Sequence, residues 1–186
     1  MEIVHIINLI TRQDRLISVV NQSRWQKFPV MVWTGIEGNL TQAQNINEAH
    51  KQIVRWAKEK KMPRVIIAED DIMFTGPTGF KYFLSQIPES YDLFLSMIYA
   101  GEVVENKMLN GFSGLTMYVV HERFYDFFLS IPDNVHIDRW LGQFAFEKEY
   151  FVCHPYVCKQ TGGYSDNLRK DMNYQLFEEK MIFYID

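Results

Sequence analysis

The chain has 186 residues, 47% of them apolar and 23% charged, an ordinary composition for a soluble globular protein and enough for one domain with a substantial core. Its formal net charge of −4 gives no basic footprint, which disfavours a nucleic-acid partner. No run is long enough to span a bilayer, and the strand-like start Met1-Glu2-Ile3-Val4 carries no cationic signal region. The expectation is a cytoplasmic protein that touches a membrane, if at all, from its inner face.

Residues 2–9 are rich in Ile and Val and predict a first strand. Thr11 is placed to cap the helix that follows, with Asp14 three residues on in a capping-box arrangement, and Leu16, Val19 and Val20 form its apolar stripe. Residues 30–33 predict a second short strand and residues 35–39 a loop. From Thr41 or Asn45 onward, Ile46, Ala49, Ile53, Val54, Trp56 and Ala57 recur at helical spacing. Lys58, Lys60 and Lys61 fall in the last turn, where cations favour the helix dipole, and Pro63 ends the element. Val65-Ile66-Ile67-Ala68 has no polar member, the pattern of a strand buried on both faces. This β-α-β-α-β order predicts an α/β domain with a mostly parallel sheet and right-handed crossovers.

The second half is less regular. Strands are expected over residues 91–97 and 115–120, and a short helix over 122–130 with Phe124, Phe127 and Phe128 facing the core. Asp138 can cap a further helix whose buried side holds Trp140, Leu141 and Phe144, and residues 150–152 suit an edge strand. After Thr161 the glycine pair and the polar run over 165–171 read as a loop, with roughly the last 20 residues as a mobile tail. Cys153 and Cys158, the only cysteines, lack the partners of a zinc site and predict a reduced pair.

The stretch richest in chemistry is Glu69-Asp70-Asp71, directly after the apolar run. In open α/β sheets the ligand crevice lies just past the carboxyl ends of the strands. Three acids there repel one another, and in water-poor surroundings they stay ionised only beside a cation or strong donors. They suit a hard divalent ion such as Mg²⁺ or Mn²⁺, which in turn suits phosphate oxygens; a solvated acidic turn is the plain alternative. Upstream, Asn8-Leu9-Ile10-Thr11-Arg12-Gln13-Asp14-Arg15 leaves a strand and opens a helix. Its backbone N–H groups, Arg12 and Arg15 can hold a pyrophosphate or frame a base and ribose. It has no glycine-rich loop, so it is neither a P-loop nor a dinucleotide fingerprint, and a surface helix with two solvated arginines fits it equally.

Three further segments carry candidates. Gly111-Phe112-Ser113-Gly114 lacks bulk at three of four positions, which suits either a ligand approaching the backbone or a simple turn. Val135-His136-Ile137-Asp138-Arg139-Trp140 sets Asp138 among apolar neighbours at a helix start, as a general base or as a helix cap, with His136 a second candidate. His154 is a lone imidazole available to a metal, and Gln160-Thr161-Gly162-Gly163-Tyr164-Ser165-Asp166 offers amide, hydroxyl and carboxylate groups on a glycine loop able to close over a polar ligand.

Taken in order, Ile7-Asn8-Leu9, Arg12-Gln13-Asp14-Arg15, Ala49-His50, Trp56, Ala68-Glu69-Asp70-Asp71-Ile72, residues 111–120, Asp138, Pro155, Gln160 and Ser165-Asp166 span nearly the whole chain. This set resembles glycosyltransferase family 25, the group of bacterial lipooligosaccharide galactosyltransferases and the sugar-transferase domains acting on collagen. The resemblance implies a single GT-A-like, Rossmann-like domain that binds a nucleotide-sugar donor, a UDP-hexose, with Mn²⁺ or Mg²⁺. Carried over residue by residue, Asn8, Leu9, Arg12 and Arg15 border the nucleotide. Glu69, Asp70, Ser113, Gln160, Ser165 and Asp166 complete the donor site, Asp71 with Asp70 meets the metal, and Asp138 is the catalytic base.

The function implied is transfer of a galactose- or glucose-type hexose to a saccharide hydroxyl with inversion, as in lipopolysaccharide and cell-surface glycan synthesis. The same residues leave open a nucleotide-sugar-binding module without turnover, and a metal-dependent phosphoester hydrolase, although hydrolases of that kind usually have more metal ligands. A glycosidase working with two carboxylates is a further reading, against which the donor-like first half argues.

Overall fold

The computed structural model describes residues 2–38, 41–105, 108–165 and 170–172, with the backbone alone at Ser165. The first five elements alternate as the apolar patterning requires: β1 (Val4–Asn8), α1 (Gln13–Gln26), β2 (Val30–Thr34), α2 (Gln42–Glu59) and β3 (Arg64–Glu69). β1 pairs in parallel with β2 on one flank and with β3 on the other. The chain therefore leaves β1 in one direction and returns on its far side, the topology that opens a crevice beyond the strand ends. In β3 the side chains alternate between two cores: Val65 and Ile67 pack into one, Ile66 and Ala68 into the other. A strand with apolar side chains on both faces can sit only inside a sheet covered on both sides.

The remaining elements are shorter. They are β4 (Ile72–Phe74), α3 (Gly79–Ser85), β5 (Leu93–Leu95), β6 (Ala100–Val103), β7 (Leu109–Ser113), β8 (Met117–His121), α4 (Tyr125–Leu129), α5 (Ile137–Gly142), β9 (Tyr150–Val152), β10 (Cys158–Gln160), β11 (Gly163–Ser165) and β12 (Lys170–Met172). The central sheet has the order β2-β1-β3-β8-β5-β9. Only β8 is reversed: it runs antiparallel to both β3 and β5, while β5 and β9 pair in parallel. The expected mostly parallel α/β sheet is thus present, with one strand turned. β4 pairs antiparallel with β10 in the register Ile72↔Gln160, which brings Gln160 to the acids that precede β4.

Four local expectations are corrected. Thr11 does not cap α1; Arg12 occupies the cap position without a side-chain bond, and its guanidinium takes the Asp14 carboxylate instead. The capping box lies on α2, where Thr41 Oγ1 accepts from the Gln44 N–H and Gln44 Oε1 accepts from the Thr41 N–H. His136 occupies the cap position of α5, without a side-chain bond, which puts Asp138 inside the first turn and frees its carboxylate for another partner. Of its expected apolar side only Leu141 is fully buried, while Trp140 and Phe144 stack partly exposed against Phe127. The stretch read as a loop after Thr161 contains a hairpin, β11 against β12; backbone pairing needs no apolar side chains, so no pattern announced it. The expected tail lies mostly outside the described residues. Cys153 and Cys158 are both buried and reduced. Among the described residues no helix is long and apolar enough to cross a membrane.

Candidate functional site

A cavity of about 730 Å³ opens past the ends of β1 and β3, walled by α2, the start of α5 and residues 35–38. Its floor is built by strand register. Ile7 sits opposite Glu69 in the parallel pair, so the two chains emerge side by side and Asn8 meets Asp70. Asn8, buried, donates through Nδ2 to Asp70 Oδ2 at 2.7 Å and to the Arg12 carbonyl at 3.1 Å. Arg15 donates through Nη1 to Asp70 Oδ1 at 3.0 Å and reaches Asp71 Oδ2 at 3.4 Å. Its other nitrogen donates to the Tyr164 carbonyl at 2.8 Å, and Arg12 Nη1 approaches the same oxygen at 3.3 Å. Arg12 at the cap position and Arg15 in the first turn of α1 thereby both meet β11.

Asp70 has both oxygens satisfied. Asp71 does not: its Oδ1 is buried with no hydrogen-bond partner among the described residues. Burial pushes the Asp71 carboxyl up to about 7, against the opposing pull of Arg15. Burial also raises Glu69 well above the usual carboxylate range, reinforced by repulsion from Asp71, Asp70 and Asp138. Glu69 Oε2 accepts a hydrogen bond from the Gln160 amide at 2.6 Å. Such a floor is short of positive charge, and a buried carboxylate oxygen without a donor is an unmet demand for a cation or a proton.

The rim is held differently. Asp138 Oδ2 accepts from the Gly114 N–H at 2.9 Å and Oδ1 from the Arg139 N–H at 2.8 Å. Gly114 has φ +107°, and a Cβ there would come within 2.6 Å of the Tyr99 ring, so only glycine delivers this N–H. The approach to α5 is tied to α2. Asn47 Nδ2 donates to the carbonyls of Pro132, Asp133 and Val135 at 2.9, 3.1 and 2.8 Å. Lys51 Nζ binds Asp133 Oδ1 at 2.6 Å and also the Ile131 carbonyl.

Sequence reasoning passed over Asn47 and Lys51, and named His50 only within the family resemblance, with no role. The available signal was polar residues sitting at helical spacing on the face that Ile53 and Val54 mark as buried, where each must have found a partner.

The structure gathers Leu9, Arg15, Glu69, Asp70, Asp71 and Gln160 on the cavity wall, with Asp138 and His136 at the rim. Asn8 and Arg12 act from behind it through the bonds given above. Ser113, on β7, does not line the cavity; its carbonyl accepts from the Tyr99 N–H at 2.7 Å. Ser165 contributes backbone on β11, Asp166 lies outside the described residues, and His154 does not line the cavity.

No three His, Cys, Asp or Glu side chains among the described residues converge as a cage for a metal ion. Mg²⁺ or Mn²⁺ asks for less, because one or two carboxylates suffice when substrate phosphates and waters complete the shell. Asp71, with its unpartnered oxygen, and the neighbouring Asp70 are hard donors that meet this requirement, and Arg15 lies against both.

No family model and no curated protein matches the chain, but solved structures do. Drosophila β-1,4-galactosyltransferase 7, as a mutant in complex with manganese, UDP-Gal and xylobiose, aligns over 98% of this chain and 80% of its own, at TM-score 0.58 and 10% identity. A glycosyltransferase involved in the glycosylation of the major capsid of PBCV-1 aligns over 84% of this chain and 83% of its own, at TM-score 0.51 and 12% identity. A197 from STIV aligns over 92% and 93%, at TM-score 0.53 and 12% identity. At such identities the likeness is one of architecture. The six-stranded sheet with its single reversed strand and flanking helices is a GT-A-like glycosyltransferase fold.

Proposed function

We propose that this protein is a glycosyltransferase of the family 25 type that moves a hexose from a UDP-linked donor to a saccharide hydroxyl with inversion, on the cytoplasmic side of cell-surface glycan synthesis. One observation carries the reading: a buried acid cluster at the carboxyl end of β3 shares a cleft with a separately anchored carboxylate, Asp138. The fold it shares with glycosyltransferases supports it, as does the ordered sequence resemblance.

In this reading Asn8, Leu9, Arg12 and Arg15 border the nucleotide, and Asp71 with Asp70 holds Mn²⁺ or Mg²⁺. When bound, that ion supplies charge neutralisation to the departing diphosphate. Arg15, shared among Asp70, Asp71 and the Tyr164 carbonyl, can turn a guanidinium nitrogen to a phosphate oxygen. Asp138 takes the proton of the acceptor hydroxyl as that oxygen attacks the sugar carbon from the face opposite the leaving group. The Gly114 and Arg139 N–H groups keep its carboxylate aimed, and holding both substrates in line supplies much of the rate.

The test is a donor-consumption assay with purified protein, MnCl₂ or MgCl₂ and labelled UDP-glucose and UDP-galactose. Cation-dependent transfer or donor hydrolysis is expected, reduced in both Asp71→Asn and Asp138→Asn. Absence of turnover together with absence of UDP binding in either cation overturns the proposal. Metal-dependent UDP binding with no turnover of any donor would instead favour a binding module.

A further inference from the structure

Glu69 is the floor carboxylate whose hydrogen bond comes from Gln160 rather than from Asn8 or Arg15. Its other oxygen, Oε1, faces His50 Nε2 at 3.9 Å, and 33% of its side chain remains open, on the cavity wall. His50 is buried behind it, with Nδ1 2.6 Å from the Tyr118 hydroxyl. Burial lowers the His50 imidazole to about 4, so the ring is neutral and carries a single N–H. When the Tyr118 hydroxyl donates to Nδ1, that proton stands on Nε2, toward Glu69. Residues from α2, β8 and β10 thus back Glu69 from inside the core out to the cleft, Gln160 by a hydrogen bond and the Tyr118–His50 pair across a 3.9 Å gap that is too long for one. Burying such groups costs desolvation, and what it yields is a carboxylate with a set orientation.

Its place in the cleft matters as much. Glu69 lines the same cavity as Asp70, Asp71 and Asp138. In a displacement at a sugar carbon, the ring lies between the leaving diphosphate and the attacking oxygen. A partly open carboxyl on the wall shared by the floor acids and Asp138 is placed to meet that ring.

Resting on the glycosyltransferase reading above, we propose that Glu69, oriented by Gln160 and the His50–Tyr118 pair, binds the hydroxyl groups of the transferred hexose and selects which hexose the site accepts. The diphosphate and its cation are left to Asp70, Asp71 and Arg15. Gln160, His50 and Tyr118 are positioning residues in this scheme.

Calorimetric titration of the full chain in MnCl₂ with UDP, UDP-glucose and UDP-galactose tests it. The wild type should prefer one hexose over the other. Glu69→Gln should bind UDP within about twofold of wild type yet lose about tenfold of that preference, about the worth of one hydrogen bond. Tyr118→Phe, which removes only a hydroxyl, should lose about threefold, as expected when a neutral hydrogen bond is broken. Should Glu69→Gln fail to fold, Gln160→Met carries the same readout. A wild type that binds no UDP overturns the glycosyltransferase reading itself. A wild type that binds UDP without discriminating the two hexoses, a Glu69→Gln variant that keeps the preference, or one that weakens UDP binding itself overturns the role of Glu69 alone.

Discussion

Asp70 and Asp71 at the floor of the cleft and Asp138 at its rim are held by opposite means. The floor acids take side-chain donors, Asn8 and Arg15, from β1 and α1. Asp138 takes two backbone N–H groups, from Gly114 and Arg139. A guanidinium neutralises a carboxylate and can swing to another anion, so the floor is adjustable, as a site for a charged diphosphate must be. Backbone amides orient a carboxylate without cancelling its full charge, and they do not move, which suits a base that must meet one hydroxyl in one direction. Adjacent residue types therefore serve different ends according to what grips them.

The sharpest attempt to break this contrast is Asp138→Asn. Transfer should fall by about 10²–10⁴-fold while UDP affinity and Tm stay near wild type; an equal loss of UDP affinity would assign Asp138 to the floor's task.

Beneath the floor, His5 on β1 is buried, accepts the Trp33 indole N–H at 2.9 Å, and is lowered by burial to about 4 from an ordinary 6.5. The unfolded chain then binds more protons than the native one between those values. The stabilisation is complete above pH 6.5 and is lost as pH falls toward 4, up to about 3 kcal/mol. Urea midpoints measured across that range should show His5→Gln with a flatter acid limb than wild type.

Asn8→Ala leaves the buried Asp70 Oδ2 without its 2.7 Å donor and should cost about 1–3 kcal/mol in urea unfolding. A negligible cost would mean that Arg15 alone secures the floor. The smallest effect belongs to Asn47→Ala, which removes three of the hydrogen bonds from α2 to residues 132–135 and leaves the Lys51–Asp133 pair in place. It should cost about 1–2 kcal/mol and lower kcat through the rim while leaving UDP affinity intact. A parallel loss of UDP affinity would show that floor and rim are not independent.

Legibility divided along the same line. The floor was readable because its ingredients are contiguous: four apolar residues demand a doubly covered strand, and the acids follow at once. Asn8, Arg12 and Arg15 were readable as a strand-to-helix exit, although the cap was assigned to Thr11 and proved to be at Arg12. The rim was half readable. Asp138 stood out among apolar neighbours and Gly114 in a small-residue run, yet nothing in either segment says that one binds the other, 24 positions away. Asn47 and Lys51 went unremarked, and His50 was given no role, because polar residues on a helix are ordinarily exposed, and only the packing of α2 shows that these are inside.

Hydrophobic periodicity is local, so the chain by itself determined the alternating elements of its first half, the double burial of β3 and the position of the acids at its end. Reversal of β8, the seating of Gln160 beside Glu69 from 91 positions away, and the two arginines meeting at Tyr164 were decided only by tertiary structure. Strand register and the approach of distant loops select hydrogen-bond partners, and those choices depend on the packing of the whole chain rather than on any segment of it.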